Sequence, residues 1–485
     1  MQKIIKKYKG LSIVAKATIW YMICSILQKG ISVITTPIFT RLLSAEEYGL
    51  YTVYLSWENI FIIFTSMRLD YTVFNKGMSK YKDNRKGYVA SMQIITTILS
   101  AMVLGIYLLF RHQINAFTEL STMVMLLIIL QCFVYPSYNF WMIKERYEYR
   151  YLRFVLVVLL LTVVNAGIGI FAVTNIPGDR GIIRIVTNVM VYAIIGIVLY
   201  IVNFKNGLKD AKKEHIKFAV LFNLPMIPHY LSMYVLNQLD RVMIQKMVGK
   251  VQTGIYGVAS SIGNIMTIVS SSLINAMTPW YYGKLEDNKF EDVKKIFLPI
   301  MLGMFAMVFL VLLITPEAMR IIAPPRYHEA IYIVPPISAS IVFHTMYSFF
   351  SIPEYYHDAN KFSMFASMVA ALANVITNYI FIKKYGYLAA GFTTLFCNFL
   401  MAICHYIYAR WIMKKKNMDY FDVKEVAFLS IITISSAIIM CFLYKYIILR
   451  YTLAILLVTI LIVKKDDIIK LVKKFRNSEK VKEAA

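Results

Sequence analysis

"GLYTVYLSWENI", residues 49–60, returns 205 positions later as "GIYGVASSIGNI", residues 254–265. Gly49/Gly254, Tyr51/Tyr256, Val53/Val258, Ser56/Ser261, Asn59/Asn264 and Ile60/Ile265 are identical, six of the twelve positions. Similarity at a fixed offset is the mark of a fold built twice from one unit, and it governs how the rest of the chain is read. Composition says what kind of unit this is. Of the 485 residues, 59% are hydrophobic and 16% charged. Soluble domains average about 45–50% apolar and about 25% charged. The chain reads as a membrane protein.

A net charge of +25 suggests nucleic acid until its distribution is examined. The basic residues lie in short clusters between apolar runs long enough to cross a hydrocarbon core of about 30 Å, and no basic domain is left over. The N-terminal "MQKIIKKYKG" leads into a long span without a small-residue cleavage site, so no cleavable signal peptide is expected. Cys24, Cys132, Cys397, Cys404 and Cys441 fall inside apolar stretches at spacings that match neither a zinc site nor a disulfide framework. They read as small buried hydrophobes.

The apolar runs give fourteen candidate helices near 12–40, 47–67, 88–110, 120–143, 154–174, 183–203, 217–245, 251–278, 296–315, 330–350, 362–382, 387–409, 423–444 and 447–463. They are continuously apolar and do not alternate with period two, which excludes a strand barrel. An N-terminus placed inside puts "KGMSKYKDNRK", "KERYEYRYLR", "KNGLKDAKKEHIK", "RWIMKKKNMDYFDVK" and both tails in the cytoplasm. Inside basic residues then outnumber outside ones roughly three to one, the asymmetry that sets orientation. Only "KKYGY" at 383–387 runs against it. The expected fold is all-α and multi-pass, with about fourteen transmembrane helices, N-in and C-in. Because each copy holds six crossings, both copies enter the membrane with the same orientation, a parallel repeat of the kind that places a substrate path between halves. The domains expected are a six-helix bundle over 1–210, a second over 211–415, an added helix pair over 416–465 and a basic cytoplasmic tail over 466–485. In that tail Ile468, Leu471, Val472 and Phe475 share one helical face, which suits either a helix on the inner leaflet or a solvated tail.

Ionisable and polar residues inside spans are functional candidates by default. Lys29 and Glu58 lie about eleven residues on either side of the hairpin "RLLSAEEY", at a depth of roughly 16 Å, and are expected to face each other. The pair reads as a structural ion pair or as a cation near an anionic substrate with a titratable carboxylate beside it. Arg68 and Asp70 end the second helix near the cytoplasmic face, where Arg suits bidentate phosphate contact. Asp240 and Arg241 are about 100° apart on one helix, so each needs its own partner. Arg41 follows the first helix. Asn59 and Asn264 are either helix–helix contacts or cavity contacts. In the second copy, small residues Gly254, Gly257, Ser260 and Gly263 recur three apart, which permits close helix packing. His229, His344 and His405 read as structural.

"TPIFTRLLSAEEYGLYTVYLSWENI", "SMRLDYTVF", "NQLDRVMIQKMVGKVQTGIYGVASSI" and "NAMTPWYYGKL" resemble the polysaccharide-exporting branch of the multidrug/oligosaccharidyl-lipid/polysaccharide exporter superfamily, the O-antigen and capsule repeat-unit flippases. The resemblance covers essentially the whole chain. It implies a carrier in the cytoplasmic membrane that moves undecaprenyl-pyrophosphate-linked oligosaccharide to the outer leaflet by alternating access. It also implies proton or sodium coupling and association with polysaccharide polymerase and export machinery; because the two halves already supply a complete pathway, a monomer is the default transporting unit. The expected substrate-binding residues are Lys29, Arg41, Arg68, Asn59, Asn264 and Arg241, with Glu58, Asp70 and Asp240 as ion-coupling candidates. No enzyme activity, cofactor, metal or nucleic-acid partner is expected, since no Walker loop, GxGxxG, HExxH or metal-ligand spacing occurs. Two rivals stay within the superfamily, a lipid II flippase and a multidrug antiporter; a membrane polysaccharide polymerase is the rival from another class.

Overall fold

In the computed structural model, residues 12–357, 359 and 361–466 are described, and the apolar face of the C-tail lies outside them. Helices account for nearly all of this, with no strand among the described residues. In chain order they are α1 (Ile13–Leu42), α2 (Ala45–Ser66), α3 (Thr72–Lys80), α4 (Arg85–Leu109), α5 (Arg111–Thr118), α6 (Thr122–Tyr147), α7 (Tyr151–Asn175), α8 (Arg180–Gly207), α9 (Lys213–Asn223) and α10 (Ile227–Met247). They continue with α11 (Lys250–Gly263), α12 (Met266–Glu286), α13 (Phe290–Ile322), α14 (Val334–Tyr356), α15 (Lys361–Tyr385), α16 (Ala389–Lys415), α17 (Val423–Leu443) and α18 (Ile447–Val463).

Among the described residues, eleven helical segments are long and apolar enough to cross a membrane, or twelve when the 3-10 turn Pro325–Tyr332 and α14, bent by 47°, count as one span. Two expected spans fall outside that set for visible reasons. Helix α18 has 17 residues, and α2 carries Tyr, Ser, Glu and Asn through its middle. Long apolar helices dominate because a bilayer offers backbone groups no water, so each must bond within its own segment. Prolines sit inside α1, α6, α12, α13 and α14, where neighbouring helices can satisfy the freed carbonyls.

The chain divides into two compact units, Met1–Tyr234 and Val235–Ala485, with the division inside α10. In the first unit, α6 packs on α8, α1 on α7, and α2 on α6. Phe74 stacks on Phe140 at 4.7 Å beneath Tyr88, all three fully buried. In the second unit, α14 lies at the centre against α16, α12 and α13. Its core is aromatic, with Phe297 stacked on Phe421 at 4.4 Å and Phe349 and Phe350 packed around them. Arg450 of α18, 2% exposed, grips Glu317 of α13 through two bonds of 2.9 and 2.8 Å. That clamp ties the last described helix to its unit.

Candidate functional site: two polar cavities

Helix α2 starts with a capping box. The Ser44 hydroxyl accepts from the Glu47 N–H at 3.1 Å, and the Ser44 N–H donates to Glu47 Oε2 at 2.7 Å, satisfying two otherwise orphaned donors. Glu47 Oε1 accepts the Arg180 N–H at 3.1 Å, so the starts of α2 and α8 are tied together. Helical spacing then puts Tyr51, Leu55, Glu58, Asn59 and Ile62 on one face. With Gln131 and Tyr135 of α6, Asn188 and Tyr192 of α8, and Arg68 and Tyr71 beyond the end of α2, this face encloses a cavity of about 460 Å³. Nine of those eleven residues carry a polar group, within a unit that is otherwise apolar.

Glu58 is half-buried in the cavity wall, with Gln131 and the Tyr54 hydroxyl against its carboxylate. The Tyr54 oxygen accepts from Asn188 at 3.1 Å, Asn188 Oδ1 accepts from Asn165 at 2.9 Å, and Asn165 Oδ1 accepts from Arg184 Nη1 at 2.9 Å. A chain of polar contacts therefore runs from a carboxylate to a guanidinium. Arg184 is 7% exposed, and its guanidinium sits over the rings of Phe39 at 4.4 Å and Tyr51 at 5.1 Å, where the negative ring faces help to hold the charge. The sequence reading did not single out Arg184. Its signal is the spacing of Arg184 and Asn188, one turn apart at the start of a span.

Arg68 is placed by an unusual backbone. Met67 and Arg68 are consecutive left-handed residues, at φ +50° and +52°, each costing about 1–3 kcal/mol for a non-glycine residue. The Ser66 hydroxyl accepts the Arg68 N–H at 3.1 Å, and Asn223 Nδ2 donates to the Met67 carbonyl, pinning the turn. The guanidinium then lies 3.8 Å from the Tyr71 ring centroid and 3.5 Å from Asp70 Oδ2. Asp70 also accepts from Asn139 at 3.0 Å. Arg68 lines the cavity and Asp70 stands behind it; Arg68 Nε and Asp70 Oδ1 are buried without a hydrogen-bond partner.

The second unit has its own polar cavity, of about 90 Å³, lined from α10, α11, α12, α14 and α16 and by Asn264 in the turn between α11 and α12. Five lining positions repeat at the offset of 205: Tyr51/Tyr256, Leu55/Ser260, Asn59/Asn264, Ile62/Thr267 and Tyr135/Ser340. Both repeated asparagines thus line a cavity in their own unit. The chemistry between them differs. The counterpart of Glu58 is Gly263, where a Cβ would come within 2.6 Å of Ile337 Cγ2. Asp240, 4% exposed, accepts from Tyr256 at 2.7 Å, Thr394 at 2.8 Å and Asn378 at 2.6 Å. Arg241 Nη1 donates to Gln238. As their angular separation requires, the adjacent acid and base take separate partners.

One expectation is corrected. Lys29 does not face Glu58: Lys29 is exposed, it lines neither cavity, and no ion pair joins the two. The hairpin argument fixes depth but says nothing of azimuth, and α1 packs on α7 more than on α2. Arg41 is also exposed, and its Nη1 donates to the Pro37 carbonyl at 2.8 Å. His344 lines the second cavity. His405 Nδ1 meets Glu354 at 2.9 Å with both side chains fully buried. Glu354 escaped the sequence reading because it lies just past the span placed at 330–350. All five cysteines are free.

Solved structures that share the fold include two transporters. The lipid II flippase MurJ, in an inward closed conformation, matches with a TM-score of 0.65 at 13% identity, covering 93% of this chain and 100% of the other. An inward-facing multidrug resistance MATE family transporter of the MOP superfamily matches with a TM-score of 0.61 at 14% identity, covering 83% of this chain and 100% of the other. With the apolar helices described above, this makes the protein a multi-pass membrane protein with a MOP-type transporter fold. Residues 14–282 match the family described as polysaccharide biosynthesis protein, and the chain belongs to that family. Protein 1 of the Lsg locus of Haemophilus influenzae is 22% identical over 281 residues, 57% of this chain and 68% of that protein.

Proposed function

We propose that the protein is a flippase that carries undecaprenyl-pyrophosphate-linked oligosaccharide from the inner to the outer leaflet of the cytoplasmic membrane by alternating access. The observation that supports this most is the polar cavity of the first unit. A guanidinium, Arg68, paired with Asp70 behind it, and a carboxylate, Glu58, stand around about 460 Å³ of space in an apolar helical protein. Burying such groups in a membrane protein is costly unless they serve a hydrated path. In this reading Arg68 takes the phosphate end, aided by Lys29, Arg41 and Arg241, while Asn59 and Asn264 contact sugar hydroxyls. Glu58, Asp70 and Asp240 are the coupling candidates for a proton or sodium ion. The N-in, C-in topology, the six-plus-six-plus-two division and a monomeric transporting unit belong to the same proposal.

Inverted membrane vesicles containing the protein and a labelled lipid-linked oligosaccharide test it. Uptake of label to a lumen-facing glycosidase should require Arg68: Arg68→Ala should abolish it at normal protein level, and Arg68→Lys should restore part, because the planar fork is lost. Arg68→Gly separates charge from backbone, since it relieves the left-handed strain and still removes the guanidinium. It should fail like Arg68→Ala. Selective movement of lipid II would favour the rival carrier, and lengthening of the saccharide would favour a polymerase.

A further inference from the structure

We propose that the second unit binds an anionic diacyl phospholipid in an apolar groove between α15 and α16, with Lys384 on its phosphate. The groove holds about 570 Å³ and is lined by Phe381 and Tyr385 of α15 and by Phe392 and Phe396 of α16. Thr377 and Thr393 complete its floor, but their hydroxyls donate to the carbonyls of Ala373 at 2.7 Å and Ala390 at 2.9 Å, so they give the groove little polarity. The phenylalanine rings remain 36–47% exposed. A volume of this size is in the range of ligand pockets, and its chemistry admits only a hydrocarbon chain.

The rim supplies the other half of the ligand. Lys384 Nζ lies 5.1 Å from the ring centroid of Tyr385, itself a groove residue, whereas Lys383 Nζ lies 6.0 Å from that of Tyr379, on the other side of α15. Both lysines are exposed, and neither makes an ion pair among the described residues. They are also the one basic cluster that runs against the orientation bias of the chain. A soluble anion would need no groove, and an uncharged chain would need no lysine. An amphiphile with a phosphate head uses both. That this rim faces outward rests on the proposed topology; the binding chemistry does not.

The floor of the groove leads inward. The Thr393 hydroxyl also contacts Asn378 Oδ1, and the Asn378 amide holds Asp240 at 2.6 Å. A chain seated between α15 and α16 would therefore brace the helix pair that carries two partners of Asp240.

The test uses the full-length protein in detergent micelles, titrated with phosphatidylglycerol or with phosphatidylcholine of the same acyl chains. Binding is read by native mass spectrometry and by thermal unfolding, since a ligand for the native state raises Tm. Phosphatidylglycerol should bind more tightly and raise Tm further. Lys384→Gln should remove that preference, about fivefold, with the zwitterionic lipid unaffected, whereas Lys383→Gln should leave it in place. Ala389→Trp, which fills the groove, should weaken both lipids; if it does not fold, Phe396→Ala replaces it. Equal binding of the two lipids by the unaltered protein, or displacement of the lipid by inorganic phosphate, would overturn the proposal. Thiol labelling of Lys384→Cys from outside the cell checks the topology alone, so a failed orientation would leave the lipid preference standing.

Discussion

Asp240 offers the sharpest separation between a residue that holds the fold and one that serves transport. Its two oxygens receive Tyr256, Thr394 and Asn378, at 2.7, 2.8 and 2.6 Å. In Asp240→Ala those donors lose their acceptor. The Thr394 hydroxyl has a fallback, because it already contacts the Ala390 carbonyl at 2.9 Å. The Asn378 amide keeps one bond, to Asn374 Oδ1 at 3.0 Å, so one of its hydrogens is orphaned together with the Tyr256 hydroxyl, on residues 0% and 3% exposed. Each buried orphan costs about 1–3 kcal/mol, so the alanine variant should lose about 2–6 kcal/mol. Asp240→Asn is a different perturbation. Its carbonyl oxygen can face the Asn378 amide, which only donates, while its own amide faces the two hydroxyls, which rotate to accept. Three charge-assisted bonds become neutral ones, about 1 kcal/mol each, and removal of a buried charge offsets part of that loss. The asparagine variant should fall within about 2 kcal/mol of the parent. If Asp240 couples an ion, both variants should nevertheless lose gradient-driven transport. Denaturant unfolding in micelles, followed by intrinsic fluorescence, measures the first ordering, and the vesicle assay measures the second. Equal stabilities for the alanine and asparagine variants would refute the assignment of Asp240 as the shared acceptor.

Glu317→Gln should destabilise the second unit by about 2–4 kcal/mol, below the full cost of breaking a buried pair because Glu317 is 28% exposed; protease cleavage after α18 under mild denaturant should rise with it. Lys29→Met leaves no carboxylate unpaired and should shift Tm negligibly, as surface changes do, while Glu58→Leu strands Gln131 and should lower it. Gly263→Val should cost about 1–3 kcal/mol by overpacking against Ile337, and Ile337→Ala in the same chain should recover part of the lost Tm. For topology, cysteines at Glu46 and Pro177 should react with a membrane-impermeant thiol reagent from outside, and those at Asp83 and Lys209 should not. All four positions are exposed.

How far the sequence reaches depends on whether a property is carried along the axis of a helix or around it. Apolar runs report axial extent directly, because a bilayer sets the length a span must have; the expected spans accordingly fall on helices, although those over 217–245 and 251–278 each break into two. The repeat carries axial register too, which is why Asn59 and Asn264 occupy matching places in two cavities. Azimuth is different. Which neighbour a residue meets depends on how helices are grouped, and a single chain without its partners does not state this. Lys29 and Glu58 have the right depth, yet α1 gives its packing to α7, so the expected pair does not form. Arg184 shows the reverse: its depth near a span end makes it look interfacial, and only the grouping of α2, α7 and α8 turns it inward to Asn165. The same reasoning explains the replacement of Glu58 by Gly263 across the repeat. At that azimuth the first unit leaves room beside Gln131, whereas the second brings Ile337 of α14 so close that no Cβ fits. A repeat can therefore keep its backbone plan while one copy uses a position for charge and the other for helix contact. Glu58→Gly should enlarge the first cavity without disturbing helix packing, and Gly263→Glu should fail to fold. Restoring function to the first variant by any charge placed in the second unit would contradict this division of labour.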